Sequence, residues 1–188
     1  LAIVLRLFIL LELAFYSTLS LRYLDVSALG AGLLAVAGVL GLRVWITWLT
    51  FAFARFYRSP APPLGGMQLL GMFLAECGAF VANFVLISPF ERWWMGGDRL
   101  EPGSDRPPVL LIHGYGCSRA AWWWHRRRLE TAGWNVATIN LEPVYTSIEN
   151  YVDPVAQRID EVLTATGAEQ LILVGHSMGG LVARAYLR

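Results

Sequence analysis

The side chains most able to do chemistry lie in Gly175-His176-Ser177-Met178-Gly179-Gly180. This stretch follows the apolar run Gln170-Leu171-Ile172-Leu173-Val174 and precedes Leu181 to Leu187, which reads as a helix. Strand, Gly-x-Ser-x-Gly and helix in that order bend the chain so sharply that the serine hydroxyl is pushed out above a sheet. Gly175 and Gly179 are small enough to let strand and helix approach across the turn. A serine hydroxyl needs a base to take its proton and donors to hold the oxyanion that forms. Ser177 is the candidate nucleophile, and the backbone N–H of Met178, at the helix start, is one candidate donor. A second donor belongs in the loop after an earlier strand. His113-Gly114-Tyr115-Gly116 fits that loop, with the Tyr115 N–H as donor and His113 and Gly114 shaping the turn. The bland alternative is a glycine-rich turn with an ordinary serine.

The elements that would hold these residues can be read off the pattern. Pro108 to Ile112 is a short continuous apolar run, as in a strand covered on both faces. Arg119 to Ala132 reads as a helix stopped by Gly133, with Trp122, His125, Leu129 and Ala132 as its buried stripe. Asn135 to Leu141 is the next strand and Glu142 to Ser147 a loop. Ile148 to Thr166 is an amphipathic helix burying Val152, Val155, Ile159, Val162 and Leu163, and Gly167 ends it. Three strand–helix units in succession predict an α/β fold with a parallel sheet and right-handed crossovers.

The first half of the chain has a different solvent. The 188 residues are 56% hydrophobic, above the ~45–50% of soluble domains, and charged residues are sparse before about Phe90. Leu1 to Leu21, Ala28 to about Trp48 and Leu64 to Phe90 are each long enough for a bilayer core of about 30 Å. The reading is a membrane region at 1–90 with about three transmembrane helices, a linker at 91–107 and a catalytic-type domain at 108–188. Arg55, Arg58 and Ser59-Pro60-Ala61-Pro62-Pro63 mark the turn after the second span. Its arginines place that turn in the cytoplasm by the positive-inside tendency. Three spans then put the domain on the far side, which for a bacterial inner membrane is the periplasm. Gly30, Gly32, Gly38 and Gly41 either allow close helix contacts or only reflect composition. Arg43 faces Glu12 or Glu76 within the bundle, or snorkels toward the headgroups beside Trp45 and Trp48.

Net charge is +1, against a nucleic-acid footprint. Two cysteines, Cys77 and Cys117, give no metal-ligand spacing and no expected bridge. No metal or organic cofactor is implied, and the oligomeric state is not legible. Trp122-Trp123-Trp124 beside Arg126-Arg127-Arg128 has two readings. Trp123 or Trp124 with the arginines rests on anionic lipid headgroups, or the indoles are partly buried beside a solvated arginine face.

Residues from about Pro107 to Arg188 resemble the first half of the alpha/beta-hydrolase catalytic domain. The pairing of His113-Gly114-Tyr115-Gly116 with Gly175-His176-Ser177-Met178-Gly179-Gly180 is similar to bacterial lipases and esterases of the triacylglycerol-lipase type. The resemblance implies an acyl-serine mechanism on lipid or other carboxylic esters, with an acid and a histidine that follow the serine in chain order. None of His113, His125 and His176 suits the base. The chain starts at Leu1 and stops at Arg188 within a helix pattern, so it is expected to be a fragment, catalytically incomplete as written. A non-catalytic membrane protein that keeps the scaffold for interaction is the alternative from another class; a thioesterase, amidase or acyltransferase is the alternative within the fold.

Overall fold

The computed structural model describes residues 1–57 and 62–188. Arg58, Ser59, Pro60 and Ala61, in the turn expected after the second span, lie outside the described residues. The chain divides into two compact units, Ile3–Pro89 and Phe90–Arg188 with Leu1–Ala2.

The first unit is helical. α1 runs Ala2–Tyr23, α2 Ala28–Ala54 and α3 Gly66–Val81. Ser27 caps α2 by accepting from the Gly30 N–H at 3.2 Å. After α3 the backbone continues as a π-helical stretch, Ala82–Ile87, and a 3₁₀ turn, Ser88–Phe90. Pro89 is the physical reason, because its ring cannot donate and crowds the carbonyl four residues back, so the ladder widens ahead of it. With the short helix α4, Glu91–Met95, this makes one helical run, Gly66–Met95. Three helices, Ala2–Tyr23, Ala28–Ala54 and Gly66–Met95, are long and apolar enough to cross a membrane.

The buried stripe of α2 is Ala31, Ala35, Val39, Arg43 and Thr47, one residue per turn. Arg43 pairs with Glu12 of α1, Nη1 to Oε1 at 2.6 Å, and also donates to the Val39 carbonyl at 3.0 Å. The structure therefore selects Glu12 over Glu76 and over snorkelling. Glu76 lies exposed on α3, beside a cavity lined by Ile46, Thr47, Thr50 and Phe80. Of the four glycines on α2, Gly38 is the one used for close approach to another helix. A Cβ there would lie 2.7 Å from the Tyr16 ring, whereas Gly32 and Gly41 have open space.

The second unit has strands β1 (Val109–Ile112), β2 (Val136–Ile139) and β3 (Ile172–Gly175). They form a parallel sheet in the order β2-β1-β3, with Val109 level with both Val136 and Ile172. Side chains alternate across a strand. Leu110 and Ile112 pack on one face with Val155, Ile159 and Val162 of α6 (Val152–Thr166) and Val182 of α7 (Met178–Tyr186). Val109 and Leu111 pack on the other with Val136, Trp122 and Leu129. Both faces are covered, which is why β1 reads as an unbroken apolar run. Each such side chain, fully buried, stabilises by about 1.5–3 kcal/mol. Gly167 ends α6 in the left-handed conformation, φ 70°, its N–H reaching the Leu163 carbonyl at 2.8 Å.

α5 (Trp123–Thr131), entered through a 3₁₀ turn at Arg119–Trp122, corrects the expected stripe. His125 and Ala132 are exposed, and Arg126 is buried in their place. The guanidinium tolerates burial because every side of it is bonded. It donates to the carbonyls of Met95 (2.9 Å) and Gly97 (2.7 Å), and it pairs with Asp98 (2.9 Å) and Glu130 (2.7 Å). A pattern that counts arginine as surface cannot anticipate this.

Candidate active site

The glycine-flanked serine lies where β3 turns into α7. Ser177 stands at φ 52°, ψ −120°, and with Asp25 is one of two non-glycine residues at positive φ among the described residues. A side chain there carries steric strain of order 1–3 kcal/mol, which persists only where the surroundings over-determine it. Those surroundings are visible. A Cβ on Gly175 would sit 2.5 Å from the Gly180 nitrogen. A Cβ on Gly179 would meet the carbonyl oxygens of Ile112 and His113. The start of α7 is thus pressed onto its own strand and onto the end of β1. The His176 N–H bonds the Ile112 carbonyl at 3.0 Å, and the Gly179 and Gly180 N–H groups close the turn onto His176 and Ser177 at 2.9 and 3.0 Å. Ser177 is exposed. Met178 is the first residue of α7, where backbone N–H groups lack intrahelical acceptors, and its side chain packs on the core.

The loop after β1 abuts this turn. A Cβ on Gly114 would lie 3.0 Å from His176 Nδ1 and 3.1 Å from the Ser177 Cβ, so glycine is what lets the loop backbone lie against the serine. His113 fixes the loop from beneath. Its buried ring accepts the Leu141 N–H on Nε2 at 2.9 Å. The ring proton therefore sits on Nδ1, which donates to the Gly114 carbonyl at 2.8 Å. Burial pushes the His113 pKa down, against the opposing pull of that carbonyl, and keeps the ring neutral. With both nitrogens committed, His113 is a strut. The Tyr115 side chain is exposed and meets Tyr145 edge on. Burial also raises the Cys117 thiol pKa, which makes it a poor nucleophile.

No base reaches the serine: among the described residues, Ser177 Oγ makes no hydrogen bond to an imidazole or a carboxylate. His176 points at Trp122, edge on at 6.4 Å, and His125 meets the same indole at 5.5 Å. Described His, Cys, Asp and Glu residues form no cluster able to hold a metal ion.

A family model for the alpha/beta hydrolase fold matches residues 107–188. This part of the chain has the alpha/beta-hydrolase fold. Methylesterase 17 of Arabidopsis thaliana is similar to it, 33% identical over 93 residues that cover 44% of this chain and 32% of the plant protein. The chain thus spans about a third of the length of that curated relative.

The hydrolase domain also uses residues that pattern reading passed over. The segment read as a linker is bound to it by carboxylates. Asp98, its side chain 5% exposed, accepts from the Thr138 N–H (2.8 Å) and pairs with Arg126 (2.9 Å) and Arg158 (2.7 Å). Glu91 takes Arg119 Nε and Asn140 Nδ2, both at 2.9 Å. Burial would raise the Glu91 pKa, but the hydrogen bonds from Arg119, Asn140 and Ser118 outweigh it, and the carboxyl stays below its usual range. Asn140 also accepts the Arg119 N–H at 2.7 Å. Asn140 precedes Leu141, which holds His113, which holds Gly114. A chain of polar contacts therefore runs from α4 to the loop beside Ser177. The available sequence signal was four carboxylates, Glu91, Asp98, Glu101 and Asp105, in a segment otherwise rich in glycine and proline.

Proposed function

We propose that the protein is a membrane-anchored serine hydrolase that cleaves carboxylic esters, with Ser177 as nucleophile. The observation that carries this reading is an exposed serine held at positive φ by two glycines that admit no side chain. Ser177 Oγ attacks the ester carbonyl, its proton passing to a base; the C–O bond to the alcohol breaks and an acyl-serine remains, which water then hydrolyses. The backbone N–H groups of Met178 and Tyr115 stabilise the oxyanion, each worth roughly 3–4 kcal/mol of transition-state stabilisation by analogy with one such donor. His113 and Gly114 hold the loop that brings the Tyr115 amide toward the serine. The named plant relative is a methylesterase, which favours esters over amides as the substrate class. The base and its acid partner are a histidine and a carboxylate that follow the serine in chain order, as the fold requires.

In this reading the three apolar helices anchor the enzyme. The arginines of the loop after α2 support a cytoplasmic loop by the positive-inside tendency, and with three spans the hydrolase domain is then on the opposite side, the periplasmic face of a bacterial inner membrane. A fluorophosphonate probe on the full-length protein tests the chemistry. Labelling at Ser177, abolished by Ser177→Ala, is the expected result. A folded protein that stays unlabelled overturns it and favours a scaffold kept for interaction.

A further inference from the structure

Two sets of arginines in the hydrolase unit contrast in how they are paired. Arg119, Arg126 and Arg158 are at least partly buried, and each has a carboxylate partner. Arg92, Arg127 and Arg128 are exposed, and none has a carboxylate partner among the described residues. Arg99, Arg106, Arg184 and Arg188 are also exposed without a carboxylate ion pair among the described residues, but Arg92 adjoins the exposed Trp93 in the chain, and Arg127 and Arg128 follow the exposed Trp124 on α5. Trp93 is 83% exposed and Trp124 53%, and the Arg128 guanidinium lies 4.7 Å from the centre of the Trp124 ring. Isolated exposed apolar side chains are ordinary, but α4 and α5 each carry an exposed indole beside uncompensated cations, and the two helices are joined through Trp94–Trp123 and the Arg126 bond to the Met95 carbonyl.

The position of this face along the chain says what covers it. The third apolar helical run ends at Met95. α5 is pinned to that end: Arg126 donates to the Met95 and Gly97 carbonyls, Arg119 to the Gly96 carbonyl at 2.8 Å, and Trp123 meets Trp94 edge on at 4.9 Å. Where Gly66–Met95 crosses a bilayer, its last turn lies at headgroup level, the depth at which tryptophan is enriched. Arg127 and Arg128 are one and two residues beyond Arg126, a rise of about 1.5–3 Å along the helix.

We infer that α4 and the exposed face of α5 form a binding surface for anionic phospholipid headgroups, with Arg92, Arg127 and Arg128 on the phosphates and Trp93 and Trp124 at the acyl boundary. Trp122 and Trp123 are partly buried, and Trp124 with the two following exposed arginines is left for lipid. The surface would hold the hydrolase domain against the membrane rather than on a free tether. This inference rests on the membrane-spanning reading of the three helices and is independent of the serine chemistry.

The test uses the full chain with Cys77 and Cys117 replaced by alanine and a single reporter cysteine carrying an environment-sensitive fluorophore. Ala121→Cys places it on the Trp124–Arg128 stripe, and Leu33→Cys on α2 serves as the depth control. Both are exposed. Proteins are reconstituted in phosphatidylcholine vesicles with and without phosphatidylglycerol, using brominated acyl chains as quencher. Expected at position 121 is blue-shifted, quenched emission with phosphatidylglycerol, weakened without it, at high salt and by Arg127→Glu with Arg128→Glu. A quenched probe at 33 with a water-like probe at 121 overturns the headgroup surface and leaves the spans intact. Two unquenched probes overturn the spans and the surface with them. Quenching at 121 that ignores phosphatidylglycerol and charge reversal overturns the anionic assignment.

Discussion

The two units bury opposite things. Helix α2 hides alanines, Val39, Thr47 and one arginine, while leucines and aromatics such as Leu29, Leu33, Trp45 and Trp48 face outward. The hydrolase unit hides Leu110, Leu111, Ile112, Val136 and Val155 and leaves most of its charge outside. The three helices of the first unit are long and apolar enough to cross a membrane; in lipid, which supplies no hydrophobic drive between helices, small residues and a hydrogen-bonded pair would hold that unit together. Water supplies that drive to the second. Buried charge is handled differently as well. Arg43 has one carboxylate and one carbonyl. Asp98 serves Arg126 and Arg158 together with the Thr138 backbone and hydroxyl.

That contrast can be broken by mutation. Asp98→Ala takes a carboxylate from three guanidiniums, Arg119, Arg126 and Arg158, one of them buried, and should cost about 3–5 kcal/mol, read as a lowered midpoint in denaturant. Glu12→Ala strands Arg43 inside the helical unit at a cost of about 2.5–3.5 kcal/mol, read by unfolding in detergent. Glu12→Leu with Arg43→Leu should recover most of that loss. If the double apolar variant stays as unstable as the single one, the pair does more than neutralise charge.

Steric predictions sharpen the comparison further. Gly179→Ala drives a methyl into two β1-end carbonyls and should cost about 1–3 kcal/mol or more, with loss of fluorophosphonate labelling at Ser177. Gly38→Ala strikes the Tyr16 ring, which can tilt, and should cost about 1 kcal/mol. Gly32→Ala and Gly41→Ala should be neutral or slightly stabilising, by up to ~1 kcal/mol, since alanine is the better helix former. Equal effects at 38 and 41 in a thermal scan would remove the case for a specific α1–α2 contact.

The smallest effect is a pH dependence confined to the hydrolase unit. The folded His113 pKa lies below its ordinary value of 6.5 because burial disfavours the charged ring. Above that value both folded and unfolded states carry the neutral ring, and the contribution is fully present. As pH falls through it, the unfolded chain binds a proton that the folded one refuses, and stability is lost until the depressed folded value is passed. His113→Gln should flatten this slope in melts taken from neutral to mildly acidic pH. An unchanged slope would show that another group titrates there.

By itself the sequence determined where the elements run. An unbroken apolar β1, the stripe of α6 ending at Gly167 and three long apolar stretches follow from local periodicity, which neighbouring residues encode directly. The glycines around Ser177 were also legible, because a turn that excludes a Cβ leaves a fixed spacing in the chain. Tertiary structure alone decided which charges go inside. Arg43 chose Glu12 over Glu76, Arg126 displaced His125 from the buried face, and the segment read as a linker became the anchor of three arginines. In each case the partner lies about thirty or more positions away in the chain. A buried ion pair is stable only when both members meet in space, and no pattern within one helix can record that meeting.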